Sequence, residues 1–192
     1  MRTKSWICLF VLIIFLFPVS MTAAQDKVVV IPLFDDDASC CACEGTLNGT
    51  RWCDNGDGTV TDLSTCLVWL KNANCTETLA GIIKADGWLE WDDATIWSSA
   101  VINGACGLSD GSTGGDWRLP TKNELYTLAT GTEAVRSSTP RAIVGVESSG
   151  YWTSTTLSNK TDRAWIVDLE FGGVAGIAKF IRSYVWPVRS GN

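Results

Sequence analysis

The sequence predicts an α+β domain: an antiparallel sheet with two main helices, stapled by disulfides. Three observations predict it. Runs of β-forming residues near both ends of the chain flank two stretches of helical spacing, without the strand–helix alternation of a parallel sheet. Turn dipeptides separate the runs, among them Asn55-Gly56, Asp57-Gly58 and Gly172-Gly173. Seven of the eight cysteines follow residue 24, a density that belongs to an oxidising compartment.

Residues 1–24 read as a secretory signal peptide. Arg2 and Lys4 precede an apolar stretch at 7–17, too short to span a bilayer, and Thr22-Ala23-Ala24 offers a cleavage site before Gln25. Removal leaves 168 of the 192 residues, enough for one domain with a core. The expected organisation is an extended cysteine-rich leader at 25–50 and the domain at 51–192, secreted to the periplasm, cell surface or beyond, with no membrane span once the signal is gone. The remaining charge is unevenly placed. Residues 25–116 carry 4 basic and 15 acidic side chains, and residues 117–192 carry 9 and 6. The acidic half argues against nucleic acid as a partner. The chain has no histidine, which removes Ser-His-Asp and Cys-His catalysis and histidine-ligated metal.

K-V-V-V-I-P-L-F at 27–34 has strand character, with Pro32 confining it to an edge or an extended leader. Asp35, Asp36 and Asp37 form a solvated turn. In the cluster Cys40-Cys41-Ala42-Cys43, adjacent cysteines do not bridge each other comfortably. Inter-chain or leader-to-domain disulfides are expected there ahead of a three-thiolate metal site. The stretch 51–71 reads as a small antiparallel meander, with strands at Thr59-Val60-Thr61 and Leu67-Val68-Trp69. D-N-G-D-G within it invites a calcium-loop reading. With Gly58 at the sixth loop position, Cys53 and Ser64 fall at the first and twelfth, so the pattern fails. Cys53 and Cys66 flank the meander and are expected to pair, closing a loop worth about 3 kcal/mol in the chain-entropy account.

A first helix is predicted over 91–103. Asp92 and Asp93 suit the positive end of its dipole, and Ala94, Trp97, Ala100 and Val101 form its apolar stripe. Cys75 and Cys106 bracket it and are expected to pair. A second helix starts after G-D-W-R-L-P. Thr121 and Glu124 make a capping box, and Leu125 and Leu128 share a face for Trp117 and Leu119 to pack on. Residues 130–150 are polar and irregular. Strands follow at 151–156, 164–169, 177–181 and 184–188. Trp69, Trp97, Trp117 and Trp165 sit in apolar patterns and read as core. Trp52, Trp88, Trp152 and Trp186 fit either a core or an exposed aromatic platform.

The strings D-N-G-D-G-T-V-T-D (54–62), L-V-W-L-K (67–71), D-W-R-L-P-T-K-N-E-L (116–125), Y-W-T-S-T-T (151–156) and Y-V-W-P-V-R (184–189) occur in an order that resembles the bacterial Lcl C-terminal domain family, found at the C-terminus of the Legionella collagen-like adhesin. The resemblance covers roughly 51–191, and a Cys75–Cys106 pair is similar to a recurrent feature of that family. R-L-P-T-x-x-E is also similar to a motif of the formylglycine-generating enzymes, whose fold is C-type-lectin-like. Those enzymes oxidise with late cysteines, and here none follows Cys106. The E-P-N, Q-P-D and W-N-D strings of calcium-dependent lectins are absent too. The resemblance implies a secreted, non-catalytic adhesion domain for polysaccharide, sulfated glycans included, or another extracellular ligand, with no cofactor. Lys160, Arg163, Lys179 and Arg182, with Trp152, are the ligand-binding candidates; scattered solvated charge is the plain alternative. Two other readings stand beside it. One is an enzyme of the sulfatase-modifying kind. The other is an envelope protein or homo-oligomer cross-linked through Cys40, Cys41 or Cys43.

Overall fold

The computed structural model describes residues 41–130 and 142–191. The expected signal peptide, the 27–34 run, Cys40 and most of the irregular 130–150 stretch lie outside the described residues. The sequence pattern points to one antiparallel sheet; the described residues form two. The first contains β1 (Thr46–Asn48), β2 (Trp52–Asp54), β3 (Thr59–Asp62), β4 (Leu67–Leu70) and β10 (Val188–Ser190), in the order β1-β2-β3-β4-β10. The second contains β5 (Trp88–Leu89), β6 (Gly150–Leu157), β7 (Lys160–Asp168), β8 (Val174–Ala178) and β9 (Ser183–Tyr184), in the order β5-β9-β6-β7-β8. All pairings are antiparallel except β6 with β9, which meet in parallel at Tyr151 and Tyr184. Pro187, which has no N–H to give a ladder, lies between β9 and β10, so the expected 184–188 strand divides between the sheets.

The 51–71 meander forms as expected, with Val60 opposite Trp69 and Thr61 opposite Val68. Gly58 has φ +87°, and a Cβ there would strike the Gly107 carbonyl oxygen, so only glycine fits. Among the described residues, three disulfides staple the domain. Cys75 and Cys106 pair, with Cα atoms 5.6 Å apart. The expected Cys53–Cys66 pair does not form. Cys43 takes Cys53 and Cys41 takes Cys66, with Cα separations of 5.5 and 5.6 Å. The leader explains this: β1 pairs with β2, setting Leu47 opposite Cys53, and carries the preceding cysteines over the meander. The leader-to-domain alternative therefore holds for Cys41 and Cys43, and cross-linking of chains through either is set aside.

Arg51 and Asp62 form a buried bidentate pair, Nε to Oδ1 at 2.8 Å and Nη2 to Oδ2 at 2.7 Å. Ser64 donates to the same carboxylate through its N–H and its hydroxyl. The guanidinium also donates to the Thr127 carbonyl in the second helix and lies 4.6 Å from the Trp52 ring centroid. Burial pushes the Asp62 pKa up, but Arg51 and Ser64 outweigh it and hold the carboxyl below its ordinary value.

Helix α1 (Trp91–Ser99) is shorter than the predicted 91–103. The Gly115 N–H takes the Ser99 carbonyl and the Asn103 N–H turns to Ser112, so the loop claims the groups that another turn would use. Helix α2 (Lys122–Thr130) buries Leu125 and Leu128. Its capping box is present: the Glu124 N–H donates to Thr121 Oγ1, and the Thr121 N–H to Glu124 Oε2. Between the sheets runs an aromatic series. Trp69 meets Trp186 at 4.9 Å, Trp186 meets Tyr151 at 6.2 Å, Tyr151 meets Tyr184 at 5.3 Å and Tyr184 meets Trp88 at 5.4 Å between centroids. Of the expected core tryptophans, Trp69, Trp97 and Trp117 are fully buried, whereas Trp165 is half-buried.

Asp62→Asn leaves Arg51 buried without its counter-charge and is expected to cost about 3–5 kcal/mol. The depressed pKa sets the acid limb: the stabilisation is complete above the unfolded carboxyl value near 4 and is lost as pH falls through the folded value. Urea melts between pH 2 and 7, roughly the window those values define, should show a steeper acid loss for the parent chain than for the variant. A neutral-pH cost below about 1 kcal/mol would show that the pair carries little.

Candidate functional site

Three of the four candidate cations, Lys160, Arg163 and Lys179, lie along the β7–β8 side of the second sheet, and Arg182 lies beside β5 and β9. β7 and β8 set Arg163 opposite Ala178, and the Lys179 N–H donates to the Asp162 carbonyl. Lys160 begins β7 and is exposed. Three of the four are partly committed. Arg163 is half-buried and donates to the Gly176 carbonyl at 3.2 Å. Gly173 and Lys179 bond inward to β7. By alternation Gly176 faces outward, so Arg163 caps the open edge of β8. The Lys179 ammonium lies 3.7 Å from the Trp91 ring centroid. Arg182 donates to the Trp88 carbonyl at 2.8 Å, and its Nη1 lies 3.8 Å from the Asp86 carboxylate.

Trp152 is not available to stack on a ligand. It is fully buried, and its indole N–H donates to the Leu89 carbonyl. The sequence marks a β-forming aromatic there but not which face of the strand is covered. The exposed aromatic beside Arg182 is Trp88, 43% accessible, with Phe180 and Ile181 in the turn that carries Arg182. Sequence reading left Trp88 open and gave Phe180 no role. It also missed Lys122, whose ammonium lies 4.8 Å over the Trp165 ring, two residues along β7 from Arg163. Its only sequence signal was a position just inside a capped helix.

Hydrogen bonds from Arg118 and Thr121 hold Glu124 below its ordinary pKa, and the Thr113 N–H does the same to Asp116. Both shifts favour the ionised form, opposite to what a general acid needs. Sulfur and carboxylate atoms of Cys75, Glu77 and Cys106 lie within 4.8 Å of one another. The two sulfurs are joined as a disulfide, however, and Glu77 accepts the Cys106 N–H, so the trio offers no thiolate while oxidised. Lys84 is fully buried. Its ammonium donates to the Cys75 carbonyl at 2.6 Å and lies 4.7 Å from the Trp97 ring, and burial pushes its pKa down to about 8. It ties the 76–86 loop to the disulfide and has no accessible surface on which a substrate could meet it.

Among the described residues, two sheets, two short helices and three disulfides define a stapled α+β domain whose second sheet carries cations and a half-exposed Trp88. The family model of the Lcl C-terminal domain matches residues 58–189, and the chain belongs to that family. No curated protein matches it. Among the described residues, no helix is long and apolar enough to cross a membrane.

Lys84 yields a pH prediction. Its folded pKa of about 8 lies below its model-compound value of 10.5, so between these the unfolded chain binds a proton that the folded chain does not. Stability should therefore rise with pH across that window. Lys84→Met should remove this rise, measured as the difference between parent and variant in urea melts at pH 8 and 10.5. Parallel pH profiles for the two proteins would contradict the assignment.

Proposed function

We propose that the domain is a secreted, non-catalytic binding module whose ligand is an acidic polysaccharide, held on the second sheet by Trp88 and Arg182 at its β5–β9 side and by Lys160, Arg163 and Lys179 at its β7–β8 side. One observation carries the reading. A half-exposed Trp88 lies beside Arg182, and the same sheet carries Lys160 and Arg163 on β7 and Lys179 just past β8. An exposed indole offers a sugar ring a flat apolar face, and clustered cations hold sulfate or carboxylate groups. Membership of a domain family associated with an adhesin supports it, as does the pairing of six cysteines, the state of an oxidising compartment. Kinship with the C-type-lectin-like fold belongs to the same proposal. Trp88 takes the place that sequence reading gave to Trp152.

The cations act together because the net charge is negative, −6 over the whole chain. With a Debye length near 8 Å at about 0.15 M salt, a polyanion feels only the nearest charges. The oxidised protein should bind heparin weakly, and binding should fade as salt rises. Replacing Lys160, Arg163, Lys179 and Arg182 together with Gln should abolish binding, and Trp88→Ala should weaken it about tenfold. Both effects are read by calorimetry, with melting temperatures as the control. Retained heparin binding by the quadruple variant would overturn the proposal.

A further inference from the structure

Two cavities adjoin the first sheet, and Arg189 lines both. One, of about 500 Å³, lies beside edge strand β10, with Asp116, Arg118 and Ser190 in its walls. The other, of about 710 Å³, lies over the face that carries Thr61 and Val68, with Glu44, Asn55 and Asp57 around it. Each falls within the roughly 300–1,000 Å³ of small-molecule sites, and together they outline a cleft that Arg189 divides.

Arg189 is held differently from two other paired arginines. Arg51 and Arg118 each fork onto a carboxylate with both bonds at 2.7–2.8 Å. Arg189 has a single 3.3 Å approach to Asp110, a 3.3 Å bond to the Ser190 carbonyl and a ring face of Trp117 at 5.5 Å. Its Nε has no hydrogen-bond partner among the described residues, and neither do Asp110 Oδ2 and Trp117 Nε1 beside it. A guanidinium has five N–H donors. Here several are unspent, between two cavities, and small movements of Arg189 would open unpaired groups to a polar ligand.

The lining defines the ligand. Glu44, Asp57, Asp110 and Asp116 set four carboxylates against the two guanidiniums of Arg118 and Arg189. That balance repels a polyanion, and the thin apolar lining offers little to a greasy ligand. Intermixed donors and acceptors suit hydroxyl groups, each of which both donates and accepts. We propose that this cleft binds a neutral oligosaccharide, with Arg189 as the residue that bridges two successive sugar units. The site is separate from the acidic-polysaccharide surface and does not depend on it.

The test uses the oxidised, secreted chain with cellohexaose, maltohexaose and chitohexaose, followed by calorimetry and by chemical-shift changes. At least one hexasaccharide should bind, with a Kd of about millimolar or tighter, and glucose or N-acetylglucosamine about tenfold more weakly. Binding should survive high salt and persist in the Lys160, Arg163, Lys179 and Arg182 quadruple Gln variant. Ser190→Trp, which fills the first cavity from an exposed strand end, should abolish it without lowering the melting temperature. Arg189→Gln should weaken it about tenfold; if that variant does not fold, Ser190→Trp decides alone. The proposal is overturned if no hexasaccharide binds, if hexalysine binds in their place, or if Ser190→Trp leaves the affinity unchanged.

Discussion

The Glu124 carboxylate is the interaction on which the arrangement of the two sheets depends. It accepts the Thr121 N–H at 2.7 Å and both terminal nitrogens of Arg118 at 2.8 Å. These bonds close the turn at 118–124, and the turn is stitched on both sides. Arg118 exchanges N–H and carbonyl bonds with Val188 at 3.0 and 2.9 Å, fastening the turn to β10 of the first sheet. The Pro120 carbonyl accepts the Ser154 N–H at 2.7 Å and the Lys122 N–H reaches Thr155, both in β6 of the second sheet. A capping box that ordinarily starts a helix thus also joins two sheets. The Arg51–Asp62 pair, through Thr127, fixes the other end of the same helix to β2 and β3.

One of the two candidate ligand surfaces inherits its geometry from this junction. Arg118 and Arg189 reach one cavity because the Arg118–Val188 bridge sets them on neighbouring segments. Trp88 and Arg182 meet because β9 lies between β5 and β6 and pairs Tyr184 with Trp88. An acidic-polysaccharide surface and a neutral-sugar cleft on one stapled domain would let it grip a mixed extracellular matrix through two independent contacts.

Local chemistry was legible in the sequence. The capping box, the Asn55-Gly56 and Asp57-Gly58 turns and the meander strands rest on short-range rules, and the structure shows each of them; the Cys75–Cys106 bridge, 31 residues apart, was expected from its place astride the first helix and from the family resemblance. The pairing of the leader with the meander was not legible. Spacing alone makes Cys53–Cys66 as reasonable as any pair; only the β1–β2 register shows that the leader reaches them first. The contrast between an acidic first half and a basic second half also misleads, because each sheet draws strands from both halves. β10 pairs with β4 and β9 with β5, so Arg182 comes to lie near Asp86 and Arg189 near Asp110. Trp152 shows the same limit. A strand rich in β-formers has two faces, and helices, loops and the β5 edge cover both at that point, whereas Trp88 on a two-residue edge strand stays half open.

Native-state hydrogen exchange on a Glu124→Ala variant tests the junction most directly. The Ser154 and Val188 amides belong to different sheets and both bond to the 118–120 turn. If Glu124 holds that turn for both sheets, the two amides should lose protection together, by a similar factor on the order of tenfold or more, while amides in the centre of β3 and β7 change little. Loss confined to residues 121–125, with Ser154 and Val188 protected as in the parent chain, would contradict the account.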